Sequence, residues 1–350
     1  MKSVLLTELA TFLDAVAGEM DLYVPKQAGE HYVFTRYDRE AGGPAEFNTV
    51  RTCVPVKEFL FPLRELAATS AASDKPPDVK PFAVFGLKDC DLRSLEVLDK
   101  VFAGDEFLDP FYSKRRQAMF VITGDCTEAG ESCFCSVFGG KPFAEKGFDL
   151  NLSAVDDGFI VDSGSDKGRG FLERHKDLFG KVPDKAIAQR QENRRKVQAD
   201  LDANNRLKAG MSLRDVVEQA QESEVFDSEA AGCIECQACT RVCPTCHCFY
   251  LYDSKQKDYF TKTKIWDSCM RLGYAAVAGG ANPRKILGDR MRHRMLHKFV
   301  YFFDRYGLHM CVGCGRCVDA DAGGMDIRRI LLKLSQQVRE KGAKTAESVK

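Results

Sequence analysis

Residues 233–244 read CIECQACTRVCP, and this stretch decides the fold of the C-terminal part of the chain. Its spacing, C-x2-C-x2-C-x3-C-P, is set by Cys233, Cys236, Cys239 and Cys243. In iron–sulfur proteins this spacing brings the first three thiolates to one [4Fe–4S] cluster, while the fourth ligates a neighbouring cluster. Zinc ribbons instead pair C-x2-C units about 15–20 residues apart, and so the run indicates an iron–sulfur site.

A second run, CVGCGRCVDAD at residues 311–321, repeats the first three cysteines but has an aspartate in the fourth position. If the runs exchange their fourth ligands, one cluster is held by Cys243, Cys311, Cys314 and Cys317. The other is held by Cys233, Cys236 and Cys239, and position 321 should supply its fourth ligand. We favour Asp321 in that role, because a carboxylate, although harder than a thiolate, can bind iron. The alternatives are an iron left open to solvent, or replacement by Cys246, Cys248 or Cys269.

The long insert between Cys243 and Cys311 bears on the type of domain. It reads as helix from Tyr274 onward, whereas small β-type ferredoxins separate their two motifs far less. We therefore expect a helical-ferredoxin arrangement. Positive charge is concentrated in this insert, and it either offsets anionic clusters or docks an acidic partner; the residues are Arg284, Lys285, Arg290, Arg292, Arg294 and Lys298.

Four further cysteines follow two predicted strands in the N-terminal half. The apolar runs FAVFGLK (82–88) and AMFVIT (118–123) suit buried strands, and the helical pattern 91–102 lies between them. In a parallel sheet, the segments that follow these strands would share one edge. A third [4Fe–4S] cluster is predicted there, with zinc or free thiols as alternatives, and its candidate ligands are Cys90, Cys126, Cys133 and Cys135.

Composition limits the class of protein. The 350 residues include 51 basic and 51 acidic side chains, and this balance gives no bias towards nucleic acid or an anionic membrane. We find no secretory segment and no run of about 18 apolar residues that would span a bilayer. Fifteen cysteines in such a chain indicate metal binding in a reducing compartment, and we expect a cytoplasmic protein.

The predicted fold class is α+β. It comprises an α/β domain at 1–180, a charged helical linker at 181–225, a helical dicluster domain at 226–330, and a C-terminal helix and tail at 331–350. Four local predictions accompany it. Residues 1–20 and KEFLFPLRELAA (57–68) are expected to be helical, GSDKGRG (164–170) a turn, and Asp157-Gly158 the turn of a hairpin.

No nucleotide-binding motif accompanies the cysteines. No G-x-G-x-x-G follows a strand, and no G-x4-G-K-[ST] occurs. We therefore expect a non-catalytic electron-transfer subunit whose redox partners lie on other subunits. One alternative is a zinc-stabilised scaffold without redox chemistry, and another is a catalytic chain with an open iron at the Asp321 cluster.

Several segments together resemble a known family. Those that carry the resemblance are PVKEFLFPLREL (55–66), FGLKDCDLRSLEVLDKVF (85–102), DCTEAGESCFC (125–135), CIECQACTRVCPTCHCF (233–249), WDSC (266–269), AGGANPRK (278–285) and HKFVYFFDRYGLHMCVGCGRC (297–317). They resemble the iron–sulfur β subunits of cytoplasmic sulfhydrogenases. They are equally similar to the iron–sulfur subunits of anaerobic sulfite reductases and to the Flx-type subunits that serve heterodisulfide reductase.

The resemblance implies an iron–sulfur subunit beside a partner that binds FAD and NAD(P)H. Electrons would pass to or from hydrogenase, sulfite reductase or heterodisulfide reductase subunits. It also strengthens the case for the N-terminal cluster. The family reads C-P at positions 321–322, where this chain has Asp321-Ala322. Because the family carries cysteines matching Cys246, Cys248 and Cys269 alongside the full ligand set, the resemblance favours Asp321 over these three as the missing ligand.

Overall fold

The computed structural model describes residues 3–40, 47, 50–71, 78–205, 207 and 211–348. The chain forms two compact units, the first made of residues 1–60 and 76–204, and the second of residues 61–75 and 205–350. The helix Asp184–Asn204, which the sequence assigns to a charged linker, belongs to the first unit. Two of its arginines form ion pairs there, Arg190 with Asp162 and Arg194 with Asp125.

Strands and helices are numbered in chain order. The strands are β1 (Ser3–Leu6), β2 (Asp21–Ala28), β3 (His31–Arg36), β4 (Arg64–Thr69), β5 (Phe82–Leu87), β6 (Met119–Gly124), β7 (Leu150–Val155), β8 (Gly158–Ser163), β9 (Phe179–Gly180), β10 (Phe249–Lys255) and β11 (Phe260–Trp266). The α-helices are α1 (Leu9–Glu19), α2 (Lys57–Leu60), α3 (Asp89–Phe102), α4 (Pro110–Ala118), α5 (Asp166–Arg174), α6 (Asp184–Asn204), α7 (Leu213–Gln219), α8 (Val225–Ala230), α9 (Ala238–Arg241), α10 (Leu287–Leu296), α11 (Phe302–Tyr306), α12 (Arg316–Asp319) and α13 (Ile327–Ser348).

The first unit is built on an eight-stranded sheet with the order β3-β2-β5-β6-β7-β8-β1-β9. Strands β2, β5, β6 and β7 are parallel neighbours, and the remaining pairs are antiparallel. Every residue of β5 and β6 is buried, as is typical of central parallel strands covered on both faces. These two strands and the helix α3 match the sequence predictions, and the predicted α+β class is confirmed.

Three local predictions in this unit need correction. Residues 3–6 form β1 rather than helix, because this apolar run pairs with both β8 and β9, and α1 begins only at Leu9. The predicted hairpin is present, but Val155 pairs with Gly158, so that Asp156 and Asp157 form the turn. The segment 164–170 starts α5 instead of forming only a turn, with the Ser165 hydroxyl capping the helix by accepting from the Gly168 N–H.

The second unit contains a three-stranded antiparallel sheet with the order β10-β11-β4. The segment 57–68 is not one helix. Helix α2 ends at Leu60, two residues before Pro62, and the following residues pair with β11 as β4. The hairpin of β10 and β11 was missed within the insert. The Trp266 indole N–H fixes its end by donating to the Phe61 carbonyl at 2.9 Å.

Helices form the rest of the second unit. α10, a five-residue π-helical turn at His297–Tyr301, and α11 follow one another without a break. The C-terminal helix α13 begins at Ile327, four residues before the predicted start, and continues through the predicted tail. No helix in the described ranges is both long and apolar enough to cross a bilayer.

The glycines of α5 provide a test of the corrected segment. A Cβ on Gly168 would overlap the backbone carbonyl of Asp149, whereas one on Gly170 would meet only the end of the Arg174 side chain. We expect Gly168→Ala to lower the free energy of unfolding by about 3 kcal/mol, because overpacking forces the helix away from the sheet. Gly170→Ala, the matched control, should raise it by about 0.5–1 kcal/mol through helix propensity. Chemical denaturation checks both values, and equal effects would contradict the close packing.

Candidate iron–sulfur centres

The two cysteine runs adopt the same backbone conformation. In the first run, Glu235 and Gln237 have φ angles of 57° and 62°, and they are the only non-glycine residues of the described part with positive φ. In the second run, the corresponding positions are Gly313 and Gly315, with φ angles of 66° and 79°. Non-glycine residues in this region cost about 1–3 kcal/mol each and concentrate at functional sites. The same loop conformation thus occurs twice. In the second run glycines adopt the positive φ angles, and in the first run Glu235 and Gln237 adopt them at a steric cost.

Hydrogen bonds to sulfur repeat in the same way. The N–H of Glu235 donates to the Cys233 thiol, and the N–H of Gly313 donates to the Cys311 thiol. Each loop then ends in a one-turn helix that contains the third cysteine of its run, α9 with Cys239 and α12 with Cys317. Backbone N–H groups directed at sulfur are among the contacts that tune an iron–sulfur cluster.

The structure brings together the four cysteines predicted to hold the second cluster. The thiols of Cys243, Cys311 and Cys314 all act electrostatically on Cys317, and burial raises the pKa of the Cys311 thiol to about 12. Cys243, the fourth member of the first run, therefore lies with the second run. This placement agrees with the predicted exchange of ligands between the two runs.

Asp321 lies beside the cysteines of the first run. One cavity is lined by Cys233, Cys239 and Asp321, and the carboxylate acts electrostatically on both thiols. Cys236, the remaining member of the run, is exposed. The three alternative cysteines line a different cavity, and the placement supports Asp321 as the fourth ligand.

The Asp321 carboxylate also organises the local backbone. Its Oδ1 atom accepts from the N–H groups of Gly323 and Met325 at 3.0 and 3.2 Å, which fixes the turn before α13. Neither of these hydrogen bonds uses Oδ2. One carboxylate can thus hold the turn with one oxygen and leave the other for a metal ion.

Three cations on one helical face point at the cysteine loops. Arg290, Arg294 and Lys298 follow one another at four-residue intervals, and each is at most 4% exposed. Arg290 forms an ion pair with Glu235 of the first loop at 3.2 Å, and the Lys298 ammonium donates to the Cys243 sulfur at 3.3 Å. The Arg294 guanidinium lines both cavities. The charge of these three residues is directed inward, which favours its predicted role beside anionic clusters.

Arg294 and Lys298 have no carboxylate partner among the described residues. Burial by itself lowers the pKa of each cation, but nearby thiolates outweigh it and raise both pKa values above their ordinary range. For Lys298 the largest such contribution comes from Cys243, and for Arg294 it comes from Cys239. A buried charge without a counterion costs several kcal/mol, so this arrangement requires anions at the cysteines.

The four N-terminal cysteines follow adjacent parallel strands, as predicted. Strand β5 pairs with β6, so Cys90 in the first turn of α3 and Cys126 two residues after β6 lie at the same edge of the sheet. Cys126 and Cys133 interact electrostatically, and burial raises the pKa of the Cys126 thiol to about 11. Cys135 begins a short 3-10 helix at Cys135–Phe138. The geometry thus places Cys126 close to Cys133. A cluster ligated by all four N-terminal cysteines stays a prediction.

Two cations at this edge were not predicted. Arg51 donates from Nη1 to the Cys133 sulfur at 3.0 Å, and Lys88, which is 1% exposed, acts electrostatically on Cys126. Sequence gives no signal for Arg51, because it lies 82 residues from Cys133. The N-terminal cysteines, like the C-terminal ones, therefore lie beside a buried or half-buried cation.

Within the described residues, which include all fifteen cysteines, no three His, Cys, Asp or Glu side chains converge closely enough to hold one metal ion. Cysteines of the second unit instead surround cavities. The donor set of the cavity beside Asp321, thiols with one carboxylate, is chemically suited to iron.

Two comparisons with known proteins bear on these sites. Residues 232–325 match the family model described as a 4Fe-4S dicluster domain. Over 275 residues the chain is 34% identical to the sulfhydrogenase 2 subunit beta of Pyrococcus furiosus, an alignment that covers 76% of this chain and 78% of that protein. Both cysteine runs and Asp321 lie within the dicluster match.

The role of Asp321 can be tested by changing its ligand chemistry. In Asp321→Cys, a thiolate replaces the harder carboxylate, and we expect the four-iron cluster to remain with a changed EPR spectrum and less loss of iron on oxidation. Asp321→Asn should keep the acceptor for the two backbone N–H groups yet lose the anionic ligand, so one cluster should convert to a three-iron form.

Asp319→Cys is the matched control, because it places the same new thiol two residues away. Anaerobic EPR and Mössbauer spectroscopy of the full-length chain distinguish these outcomes. Identical spectra for the wild type, Asp321→Cys and Asp321→Asn would remove Asp321 from the coordination sphere.

Proposed function

This chain belongs to the sulfhydrogenase β-subunit family of iron–sulfur proteins, and from that premise we propose that it relays electrons within a multi-subunit oxidoreductase. In this proposal one partner subunit binds FAD and NAD(P)H. Another partner carries the terminal reductase, of the hydrogenase, sulfite reductase or heterodisulfide reductase type. The chain itself transfers electrons and catalyses no reaction.

The observation that carries the proposal is the duplicated cysteine loop. The two loops have the same conformation, and in each a backbone N–H donates a hydrogen bond to the first thiol. This repetition supports two clusters. The proposed ligand sets are Cys233, Cys236, Cys239 and Asp321 for one, and Cys243, Cys311, Cys314 and Cys317 for the other. At the edge of the first-unit sheet, the proposed set is Cys90, Cys126, Cys133 and Cys135.

Bound [4Fe–4S] clusters would supply one-electron carriers, and the residues of the chain set their surroundings. The backbone loops fix the thiolates, and the buried cations Arg294 and Lys298 offset their negative charge. Four of the proposed cysteine ligands are buried, which protects a cluster against hydrolysis; they are Cys135, Cys239, Cys243 and Cys314. Cys236 is exposed and lies two residues from Ile234, which is 63% exposed, so the first loop offers a place for electrons to enter or leave.

Metal analysis of the full-length chain purified without oxygen tests the function. We expect a brown protein with at least about eight irons and matching sulfide per chain, and about four more if the N-terminal site is also filled. Dithionite should bleach the visible absorption and produce EPR signals of reduced clusters. Colourless protein with stoichiometric zinc and no iron would contradict electron transfer and support the scaffold alternative.

The buried lysine should control a reduction potential. Replacing Lys298 with methionine removes a cation that donates to the Cys243 sulfur, and the reduced, more negative cluster loses its stabilisation. We expect the potential of one cluster to fall by roughly 100 mV, from a unit charge several ångströms away at an effective dielectric constant of about 20. An EPR-monitored redox titration measures this change.

Lys298→Arg, which keeps the charge, serves as the control. Its potential should differ from that of the wild type by no more than about a third of the shift in Lys298→Met. An unchanged potential in Lys298→Met would show that the ammonium does not act on a cluster. Equal shifts in both variants would point to altered packing rather than lost charge.

A further inference from the structure

Three cysteines outside the two cluster runs line one cavity of the second unit. These residues are Cys246, Cys248 and Cys269, and the first and last are at most 8% exposed. Neither the dicluster pattern nor the exchange of ligands between the runs uses them. Their common position around one cavity places three soft donors where they can ligate the same metal centre.

The hairpin of β10 and β11 brings these cysteines together. Its last strand pair joins Phe249 to Trp266, and one step beyond it the Asp267 N–H donates to the Cys248 carbonyl at 2.9 Å. Cys246 and Cys248 therefore enter the hairpin at the point where Cys269 leaves it. The segment is held further by the Thr240 hydroxyl, which donates to the Ser268 hydroxyl at 2.9 Å.

This cavity resembles the one beside Asp321 in its lining. Each is lined by cysteines together with the shared guanidinium of Arg294. The cavity at Cys246, Cys248 and Cys269 thus has the donors of a cluster site.

We propose that this cavity holds a further iron–sulfur cluster, ligated by Cys246, Cys248, Cys269 and the imidazole of His297. This site is additional to the two clusters of the proposed function and to the predicted N-terminal one. It rests on the proposed function only in requiring that the chain acquire iron–sulfur clusters.

The choice of His297 follows from the other side chains that line the cavity. The Asp267 carboxylate is occupied, because Arg271 donates to both of its oxygens at 2.9 and 3.1 Å. The His297 ring, in contrast, lines the cavity and forms no hydrogen bond with any described residue. Imidazole nitrogen is an accepted iron ligand beside thiolates, as in Rieske centres. His297 can therefore complete the set without breaking an existing hydrogen bond.

The cations beside the cavity support an anionic occupant. Arg294 and Lys298 both line it, and each is at most 4% exposed. A cluster with three thiolates is anionic and would offset these buried charges. Neutral thiols around an empty cavity would leave them without that counterion.

Cysteine variants of the full-length chain test the site by iron content. After anaerobic purification, we expect Cys269→Ser and Cys246→Ser each to lose about four irons per chain relative to the wild type. Cys53→Ser, a half-buried cysteine of the first unit, is the matched control and should lose none. EPR signals of the two dicluster centres should persist in all three variants.

The nitrogen ligand has its own spectroscopic test. Pulsed EPR of the reduced protein, prepared with 15N-labelled histidine, should show a strong nitrogen coupling from one cluster. His297→Cys should keep the iron and abolish this coupling, because a thiolate replaces the imidazole. His293→Ala, which removes the ring stacked on His297 at 6.1 Å, should keep both the iron and the coupling.

Three results would overturn the proposal. They are an unchanged iron content in both cysteine variants, one zinc per chain lost in place of iron, or retention of the nitrogen coupling in His297→Cys. A wild-type chain without any iron would instead overturn the proposed function itself. The two failures are thus distinguishable in the same set of preparations.

Discussion

The second unit contains two buried cations, and its stability depends on anions close to them. Arg294 and Lys298 are at most 4% exposed, and no carboxylate of the described chain pairs with either. Burial also raises the pKa of Cys311 and of Cys269 to about 12, so isolated thiols would be neutral at physiological pH. Iron bound as proposed would make them thiolates in these surroundings. Binding of these clusters would then be coupled to folding, as in other small metal-binding domains.

Much of the site could be predicted because cysteine spacing is a local property. Three thiolates at three-residue intervals require a winding loop, and the structure shows that loop twice, with left-handed residues at equivalent positions. The N-terminal set could be located for a different reason. Strands β5 and β6 are apolar throughout, which indicates parallel central strands, and the residues after such strands share an edge.

The errors arose where distant pairing overrides local preference. Residues 57–68 have a helical pattern, yet Pro62 and the edge of β11 turn the second half into β4. The hairpin of β10 and β11 was missed because residues 226–330 were assigned as a whole to a helical domain, although helix was specified only from Tyr274 onward. Glu235 and Gln237 carry no local signal for a left-handed backbone, and only the equivalence with Gly313 and Gly315 explains them. Arg51 reaches Cys133 through tertiary structure alone.

Arg294 connects the cysteine sets of the second unit electrostatically. Its guanidinium lines both cavities, and thiolates of three sets, Cys239, Cys317 and Cys246 with Cys269, act on it. A charge shared in this way couples the sites, because the field of one buried cation falls on each of them at low dielectric screening. An electron gained by a cluster at one site would therefore be stabilised by the same cation that stabilises clusters at the others. The reduction potentials of the proposed clusters would therefore depend on one another. Arg294 lies on the helix that continues into the π-helical turn at His297–Tyr301.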